Sequence, residues 1–171
     1  GTDRNSYSKT DIEATFMRMK DDHMQNGQLK PAYNVQIAVE NYFIIHTYIS
    51  NDRTDYNTLI PVLEKHKKYL KKFPQEVTAD SGYSSEANLV YLKNNNIDSY
   101  IKLQMHEKMK TRAYKNDPGK FYNMEKIITE NGVHFICKDG RKLQYERSEY
   151  RHHNGYRSNF EVYACKDCSG C

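Results

Sequence analysis

The sequence predicts a mixed α/β fold followed by a small β-rich appendage, and three observations support this prediction. Residues 33–39 alternate large and polar side chains with a period of two, as in a strand with one buried face. From there to residue 103 the predicted order is strand, strand, helix, strand, helix, strand, which requires parallel pairing beside an antiparallel hairpin. After residue 120, short alternating runs are separated by tight-turn dipeptides, namely Asn131-Gly132, Asp139-Gly140 and Asn154-Gly155.

A hairpin and a helix are predicted first. Residues 33–39 and 42–49 form the hairpin around Glu40-Asn41, and the denser second strand is expected to be covered on both faces. Thr54 or Asp55 can cap the helix that follows. Its apolar stripe at helical spacing includes Leu59, Ile60, Leu63 and Leu70.

The next elements are a short strand over residues 76–80, a helix capped by Ser84 or Ser85, and a strand over residues 99–103. We therefore divide the chain into four parts by composition and pattern. They are an irregular arm with a short strand around residues 14–19 (1–29), an α/β core (30–103), a polar linker (104–120) and the β-rich appendage (121–171).

Charge and hydropathy narrow the class of protein only slightly. Lys plus Arg number 26 against 22 Asp plus Glu, for a formal net charge of +4, which suits a nucleic-acid partner and equally suits a mildly basic protein. The lysines of the second half of the first helix are best interpreted as a solvated face, with phosphate contact as the alternative. No apolar run approaches the ~20 residues of a membrane span. A cytoplasmic protein without membrane contact is expected.

The four cysteines lie late in the chain. Cys165, Cys168 and Cys171 are spaced by two residues, and Cys137 precedes an Asp-Gly turn. Four thiolates with this spacing could bind Zn²⁺ tetrahedrally. The alternatives are free thiols whose partners lie elsewhere, or an iron–sulfur cluster, which the same spacing also serves.

Asp80 is the strongest candidate for chemistry. It lies at the carboxyl end of a predicted parallel strand and precedes a Gly turn and a capped helix, the place where α/β sheets bind ligands. An aspartate in this position also commonly does no more than cap the helix, so both interpretations remain open from the spacing alone.

Four segments occur in a fixed order along the chain, namely Thr10–Ala14, Lys30–Val39, Thr54–Leu59 and Ala79–Tyr83. In this order they resemble segments of the DDE transposases of bacterial insertion sequences, in particular their IS4-like group. Ala79-Asp80-Ser81-Gly82-Tyr83 resembles the family motif Ala-Asp-x-Gly-Tyr, and the cysteine cluster is similar to an insertion in one branch. Ala32 stands where the family usually has Gly, and Ile12 where it has Pro. The resemblance covers roughly residues 8–103.

This resemblance implies a partial ribonuclease-H-like mixed sheet with flanking helices. It implies that Asp80 is the second of three acids that hold Mg²⁺ or Mn²⁺ for cleaving and joining DNA at element ends and target. The first Asp and the final Glu of the family would lie before residue 1 and beyond residue 171, so this chain is expected to be an inactive fragment. Asp11 and Glu13 do not align with the missing acids, and we interpret them as loop acids.

The same resemblance implies a gap in the sheet, because the family's first strand is central. We expect residues 14–19 to fill that position, or another chain to pair there through self-association, or the sheet to be rearranged.

Two other function classes remain open. One is a non-catalytic nucleic-acid-binding module that reads nucleic acid through the appendage. The basic and aromatic residues of its late hairpin are Tyr145, Arg147, Tyr150, Arg151, His152, His153, Tyr156 and Arg157, although ordinary hairpin surface explains them as well. The other class is a transposon relic that serves only as a scaffold.

Overall fold

The computed structural model describes residues 7–19, 21, 23–130, 132–153 and 155–169. The chain divides into two compact units, Gly1–Leu103 and Gln104–Cys171, hereafter unit 1 and unit 2. Together the units contain helices and several small sheets, so the predicted mixed α/β class is confirmed.

Unit 1 begins with a short antiparallel hairpin. Strand β1 (Thr15–Arg18) pairs with β2 (Leu29–Ala32). The strand expected around residues 14–19 therefore exists, but it pairs with residues at the edge of the predicted core and does not fill a central position between the later strands.

The second hairpin joins β3 (Asn34–Glu40) to β4 (Phe43–Ser50) through Asn41 and Tyr42, both with left-handed backbones. One of its faces is covered, because the ring of His46 contacts that of His66 on the following helix, with centroids 5.6 Å apart. The opposite face is exposed. The prediction that the second strand is covered on both faces was wrong, since within the described structure a helix packs on one side only.

The helical layer and a parallel strand pair complete unit 1. Helix α1 (Leu59–Leu70) precedes β5 (Glu76–Ala79), and helix α2 (Glu86–Asn94) leads into β6 (Asp98–Ile101), which pairs in parallel with β5. Ser85 caps α2 as expected, accepting a hydrogen bond from the Asn88 amide at 3.2 Å. None of the helices in the described ranges is both long and apolar enough to cross a membrane.

The core of unit 1 lies between these helices and the parallel pair. It consists of Leu59, Leu63, Leu92 and Ile97. Leu70, which was predicted to belong to the same stripe, is 43% exposed because it ends the last turn of α1, where Lys71 turns the backbone left-handed. The core is therefore small and centred on the first half of α1.

The β3–β4 hairpin and the β5–β6 pair are separate two-stranded sheets in the part of the chain that is described. The sequence predicted one mixed sheet. Backbone hydrogen bonding between a hairpin and a parallel pair needs adjacent strands, and no described strand lies hydrogen-bonded between β3 and β5.

Unit 2 begins with two short helices, α3 (His106–Lys110) and α4 (Arg112–Lys115), where a polar linker was predicted. The Thr111 hydroxyl caps α4, and Tyr114 is buried. Four strands follow as an antiparallel sheet in the order β10-β9-β8-β7. Their bounds are β7 (Glu125–Thr129), β8 (Gly132–Ile136), β9 (Lys142–His153) and β10 (Tyr156–Ala164).

Candidate active site

Asp80 lies directly after β5, at the carboxyl end of a parallel strand. Its side chain is exposed and caps the 3-10 turn Ser81–Tyr83, where Oδ1 accepts a hydrogen bond from the Gly82 amide at 2.6 Å. The sequence left open whether Asp80 binds a ligand or only caps the following helix; in the structure Asp80 caps this 3-10 turn, and Ser85 caps α2. The cap fixes the direction of the carboxylate.

Gly82 allows two carboxylates to approach each other. A Cβ atom added to Gly82 would lie 2.9 Å from Asp80 Oδ1 and 3.2 Å from Asp55 Oδ2, so the two oxygens are at most about 6 Å apart. Contacts this close leave no room for a methyl group. A side chain at this position would therefore displace the carboxylates, and glycine is favoured by these contacts rather than by a left-handed backbone, which is not found here.

A hydrogen-bonded network ties Asp55 to strand β3. Asp55 Oδ1 accepts from Asn34 Nδ2 at 2.9 Å and from Gln36 Nε2 at 3.0 Å, and Gln36 is buried. The Tyr83 hydroxyl donates to Gln36 Oε1. Since Tyr83 belongs to the turn that Asp80 caps, the network connects that turn to β3 and to the segment before α1.

The pKa of Tyr83 depends on its burial and on the charges of both carboxylates. Burial, followed by the negative charges of Asp55 and Asp80, raises the pKa of Tyr83 to about 12. The phenol therefore stays protonated at neutral pH and remains a hydrogen-bond donor to Gln36.

Sequence reasoning missed three members of this network. Asp55 was considered only as a helix cap, but α1 begins at Leu59 and Asp55 opens a separate 3-10 turn, Asp55–Asn57. Asn34 and Gln36 were counted as polar positions of a half-buried strand. The available signal was their spacing of two residues, which puts both on one face of β3, and Gln36 on that face is buried.

Asp11 and Glu13 lie in a loop before β1. Asp11 Oδ1 accepts hydrogen bonds from the amides of Glu13 and Ala14, at 3.1 and 3.3 Å, and Oδ2 accepts from the Tyr33 hydroxyl at 2.8 Å. These bonds shape the loop, which agrees with the interpretation of Asp11 as a structural acid.

Three of the four predicted zinc ligands are described. The Cys165 thiol donates to the Asp167 carbonyl at 3.1 Å. Hydrogen bonding to Cys165, followed by burial and the nearby Cys165 and Cys137 thiols, raises the pKa of Cys168 against the opposing effect of Arg141. Cys171 lies outside the described residues.

The predicted basic aromatic face of the late hairpin is partly engaged in internal contacts. The Arg157 guanidinium lies 3.7 Å from the ring centroid of Tyr150, and that of Arg151 lies 4.7 Å from that of Phe160. Arg147 contacts two neighbouring glutamates. The side chain of His153 is outside the described part.

The donor atoms present fit a divalent metal only in part. Oxygen ligands suit Mg²⁺, and Asp80 offers an exposed carboxylate with Asp55 close by. Within the described ranges, however, no group of three or more His, Cys, Asp or Glu could hold a metal ion. The described residues therefore supply part of an acidic metal site and not a full ligand set.

Comparison with known proteins identifies the family. The family model described as "Transposase DDE domain" matches residues 4–164, which is nearly the whole chain and includes Asp80. No curated protein and no solved structure matches the chain. The DDE-transposase resemblance noted in the sequence is thus confirmed at the level of the family, and the chain belongs to the transposase DDE domain family.

Proposed function

We propose that this chain supplies Asp80 as one of the acids of a metal-dependent site that cleaves and joins DNA in a bacterial insertion-sequence transposase of the IS4-like group. The observation that carries the proposal is the position of Asp80 at the carboxyl end of β5, exposed and fixed by its cap. Family membership supports the reaction class.

Asp80 would hold Mg²⁺ or Mn²⁺ together with acids from outside the described residues. When bound, such ions stabilise the charge that develops on the oxygens of a phosphodiester under attack. The residues of this chain contribute by positioning the Asp80 carboxylate. Gly82 and the network of Asn34, Gln36, Asp55 and Tyr83 hold the turn so that Asp80 keeps one orientation.

The isolated chain should be catalytically silent. Asp80 and Asp55 are two carboxylates, Asp55 Oδ1 already accepts two amide donors, and the described ranges contain no third ligand beside them. Several hard ligands are needed to hold Mg²⁺ against its own hydration.

Pairing with a further strand is part of the proposal. β3 and β5 lie in separate two-stranded sheets, and β3 has an open side in the described structure. The uncovered hairpin face carries exposed apolar residues, namely Val35, Ile37, Val39, Ile44 and Ile49. We infer that a strand from another segment or another copy joins β3 to β5 in a ribonuclease-H-like order, which would cover unpaired backbone groups and remove an aggregation-prone edge.

DNA is the proposed partner and the cytoplasm the proposed compartment. The net charge of +4 is compatible with a polyanion. A second candidate, a nucleic-acid-binding module formed by residues 121–171, is favoured by the Arg157–Tyr150 and Arg151–Phe160 stacks, because arginine planes and aromatic rings also stack on bases. Salt-dependent DNA binding that requires Arg151 and Arg157 in the whole chain, with no role for Asp80, would favour this candidate.

A strand-transfer assay with element-end DNA and Mg²⁺ or Mn²⁺ tests the leading proposal. The isolated chain is expected to show no activity, and a longer transposase polypeptide that contains this segment and the two missing acids is expected to be active. In that polypeptide Asp80→Asn should abolish detectable strand transfer, because a neutral amide is a much weaker ligand for Mg²⁺ than a carboxylate. Asp117→Asn is the matched control, because Asp117 caps Gly119 as Asp80 caps Gly82. Activity of the isolated chain that disappears in Asp80→Asn would contradict the claim of an incomplete site.

A further inference from the structure

The β9–β10 hairpin of unit 2 extends beyond the rest of its sheet. Strand β8 pairs with β9 only over residues 142–144, whereas β10 pairs with β9 from Gln144 to His153. From Tyr145 onward, β9 is therefore paired with β10 alone among the described strands. We call this two-stranded segment, residues 145–153 and 156–163, the ribbon. At a rise of about 3.4 Å per residue it is roughly 27 Å long.

A β-bulge lies where the ribbon leaves the sheet. The register shifts between Val162 and Tyr163, which pair with Arg147 and Tyr145, so Glu146 is the extra residue. A bulge bends its strand and increases the local twist. On the sheet side of the bulge, the ring of Tyr163 contacts that of Phe135 on β8, with centroids 4.9 Å apart. The ribbon is thus anchored at its base and bends where its pairing with β8 ends.

Charge is segregated along the ribbon. Its three glutamates lie in the half nearer the sheet, namely Glu146, Glu149 and Glu161. The Arg147 guanidinium contacts the first two at 2.5 and 2.6 Å, and the Tyr163 hydroxyl donates to the third at 2.8 Å. Residues 150–160, in contrast, contain two Arg, two His and neither Asp nor Glu. The distal half therefore carries positive charge that no acid of its own sequence neutralises.

The two distal arginines are held by aromatic rings. The Arg157 guanidinium lies 3.7 Å from the ring centroid of Tyr150, and that of Arg151 lies 4.7 Å from the centroid of Phe160. Arg157 pairs with His152, the neighbour of Arg151 on β9, so the two arginines lie on opposite faces of the ribbon. Both are exposed, and neither belongs to an ion pair within the described residues.

Stacking prepares these guanidinium groups to bind an anion. The N–H donors of arginine lie in the plane of the group, so contact with a ring through its face leaves them free to donate outward. A side chain that a ring already holds in place also loses less conformational freedom on binding. Each face of the distal half therefore presents one ordered fork of hydrogen-bond donors.

We propose that the distal half of the ribbon enters the major groove of duplex DNA. The inference rests on the proposed DNA partner and adds the surface by which this chain holds the duplex. The major groove of B-DNA, about 12 Å wide, admits a two-stranded β-ribbon, whereas the minor groove, about 6 Å wide, is too narrow. In the groove, Arg151 and Arg157 face opposite walls, and each can bind a phosphate or the O6 and N7 atoms of a guanine with two hydrogen bonds.

The shape of the ribbon favours duplex DNA over other nucleic acids. The major groove of an RNA duplex is deep and narrow, so side chains cannot enter it. Single strands bind to open aromatic platforms on which successive bases stack. One face of each ring, Tyr150 and Phe160, is instead covered by a guanidinium group. The proposal uses neither Asn154 nor the side chain of His153, which lie outside the described part of the chain.

Binding of the whole chain to a mixed-sequence DNA duplex of about 20 base pairs, two helical turns, tests the proposal. A single strand and an RNA duplex of the same length are the comparators. The DNA duplex should bind most tightly, and its binding should weaken as salt is raised. Arg151→Ala and Arg157→Ala should each weaken duplex binding by roughly 5- to 50-fold and lower the salt dependence by about one released ion.

Lys142→Ala is the matched control, because it removes an exposed positive charge from β9 where that strand still pairs with β8. It should weaken duplex binding by no more than about 2-fold. Circular dichroism of each variant shows whether its fold is retained. Equal losses in Lys142→Ala and in the two arginine variants would overturn the proposal.

Methylation interference with the unaltered chain identifies the groove and does not depend on any variant folding. Methylation of guanine N7, which lies in the major groove, should block binding, and methylation of adenine N3 in the minor groove should not. The reverse pattern, equal affinity for the single strand or the RNA duplex, or no duplex binding would overturn the proposal. Strand transfer by the longer polypeptide is a separate measurement. Its absence beside groove binding would contradict only the proposed function, and its presence without groove binding would contradict only this inference.

Discussion

Gly82→Ala should disturb Asp80 through the shorter of the two close contacts that an added Cβ would make with carboxylate oxygens. The new methyl carbon would stand 2.9 Å from Asp80 Oδ1, inside van der Waals contact, and the same oxygen is held by the Gly82 amide at 2.6 Å. The carboxylate must therefore rotate away and give up its cap. Losing a cap of this type costs about 1 kcal/mol.

The loss is partly offset because alanine restricts the unfolded chain more than glycine does. That effect stabilises by about 0.4–1 kcal/mol where the backbone tolerates alanine. In the native chain we therefore expect Gly82→Ala to be neutral or to destabilise by up to about 1 kcal/mol. In an Asp80→Ala background the 2.9 Å contact is gone and only the 3.2 Å contact with Asp55 Oδ2 remains, so the same change should be less destabilising than in the native chain.

Urea denaturation followed by circular dichroism measures all four members of this cycle. The coupling between the two positions is expected to be about 1 kcal/mol. Gly119→Ala provides the control, because its added Cβ would meet Asp117 Oδ1 at the longer distance of 3.2 Å and no second carboxylate. An equal effect of Gly82→Ala with and without the Asp80 carboxylate would refute the steric argument.

Three further predictions concern unit 1. In the native chain the stabilisation from protonated Tyr83 is fully present below pH ~10 and is lost as pH rises toward 12. Asp55→Asn should lower the Tyr83 pKa from about 12, as measured by NMR titration of the ring, and an unchanged pKa in the variant would contradict the network. Burial, then His66 and Lys65, lowers the pKa of His46, so the free energy of unfolding should decrease as pH falls below ~6.5, where the unfolded chain binds the proton first. His46→Phe should flatten that dependence in denaturation at pH 7 and pH 5, and an unchanged slope would argue against it. Leu92→Ala, at a side chain with 0% exposure, should cost about 2–5 kcal/mol in urea denaturation. Leu70→Ala, at 43% exposure, should cost far less, and equal losses would contradict the assigned core.

Local patterns predicted the elements of unit 1 well. The period of two over residues 33–39 predicted β3, and Ser84 or Ser85 was predicted to cap α2, which Ser85 does. Both predictions depend on a few adjacent residues, so they require no knowledge of the tertiary structure. The position of Asp80 after β5 follows from the same kind of local signal.

The local patterns did not predict long-range pairing between strands. β1 pairs with β2 instead of entering a central position, because strand partners depend on which backbone edges meet and not on the periodicity of one strand. The Asp55 network could not be predicted for the same reason, because its side chains meet only in the folded chain. Asn34, Gln36 and Asp55 are separated by 19 residues or more between strand and turn, and only the fold brings their side chains together.

Metal rescue at position 80 tests the central claim most directly. In the proposed longer transposase polypeptide, Asp80→Cys should abolish strand transfer in Mg²⁺, which binds thiolate poorly, and recover measurable activity in Mn²⁺, which accepts softer ligands. Asp117→Cys should remain active in both metals. If Asp80→Cys is fully active in Mg²⁺, Asp80 is not a metal ligand of the reaction and the account is wrong.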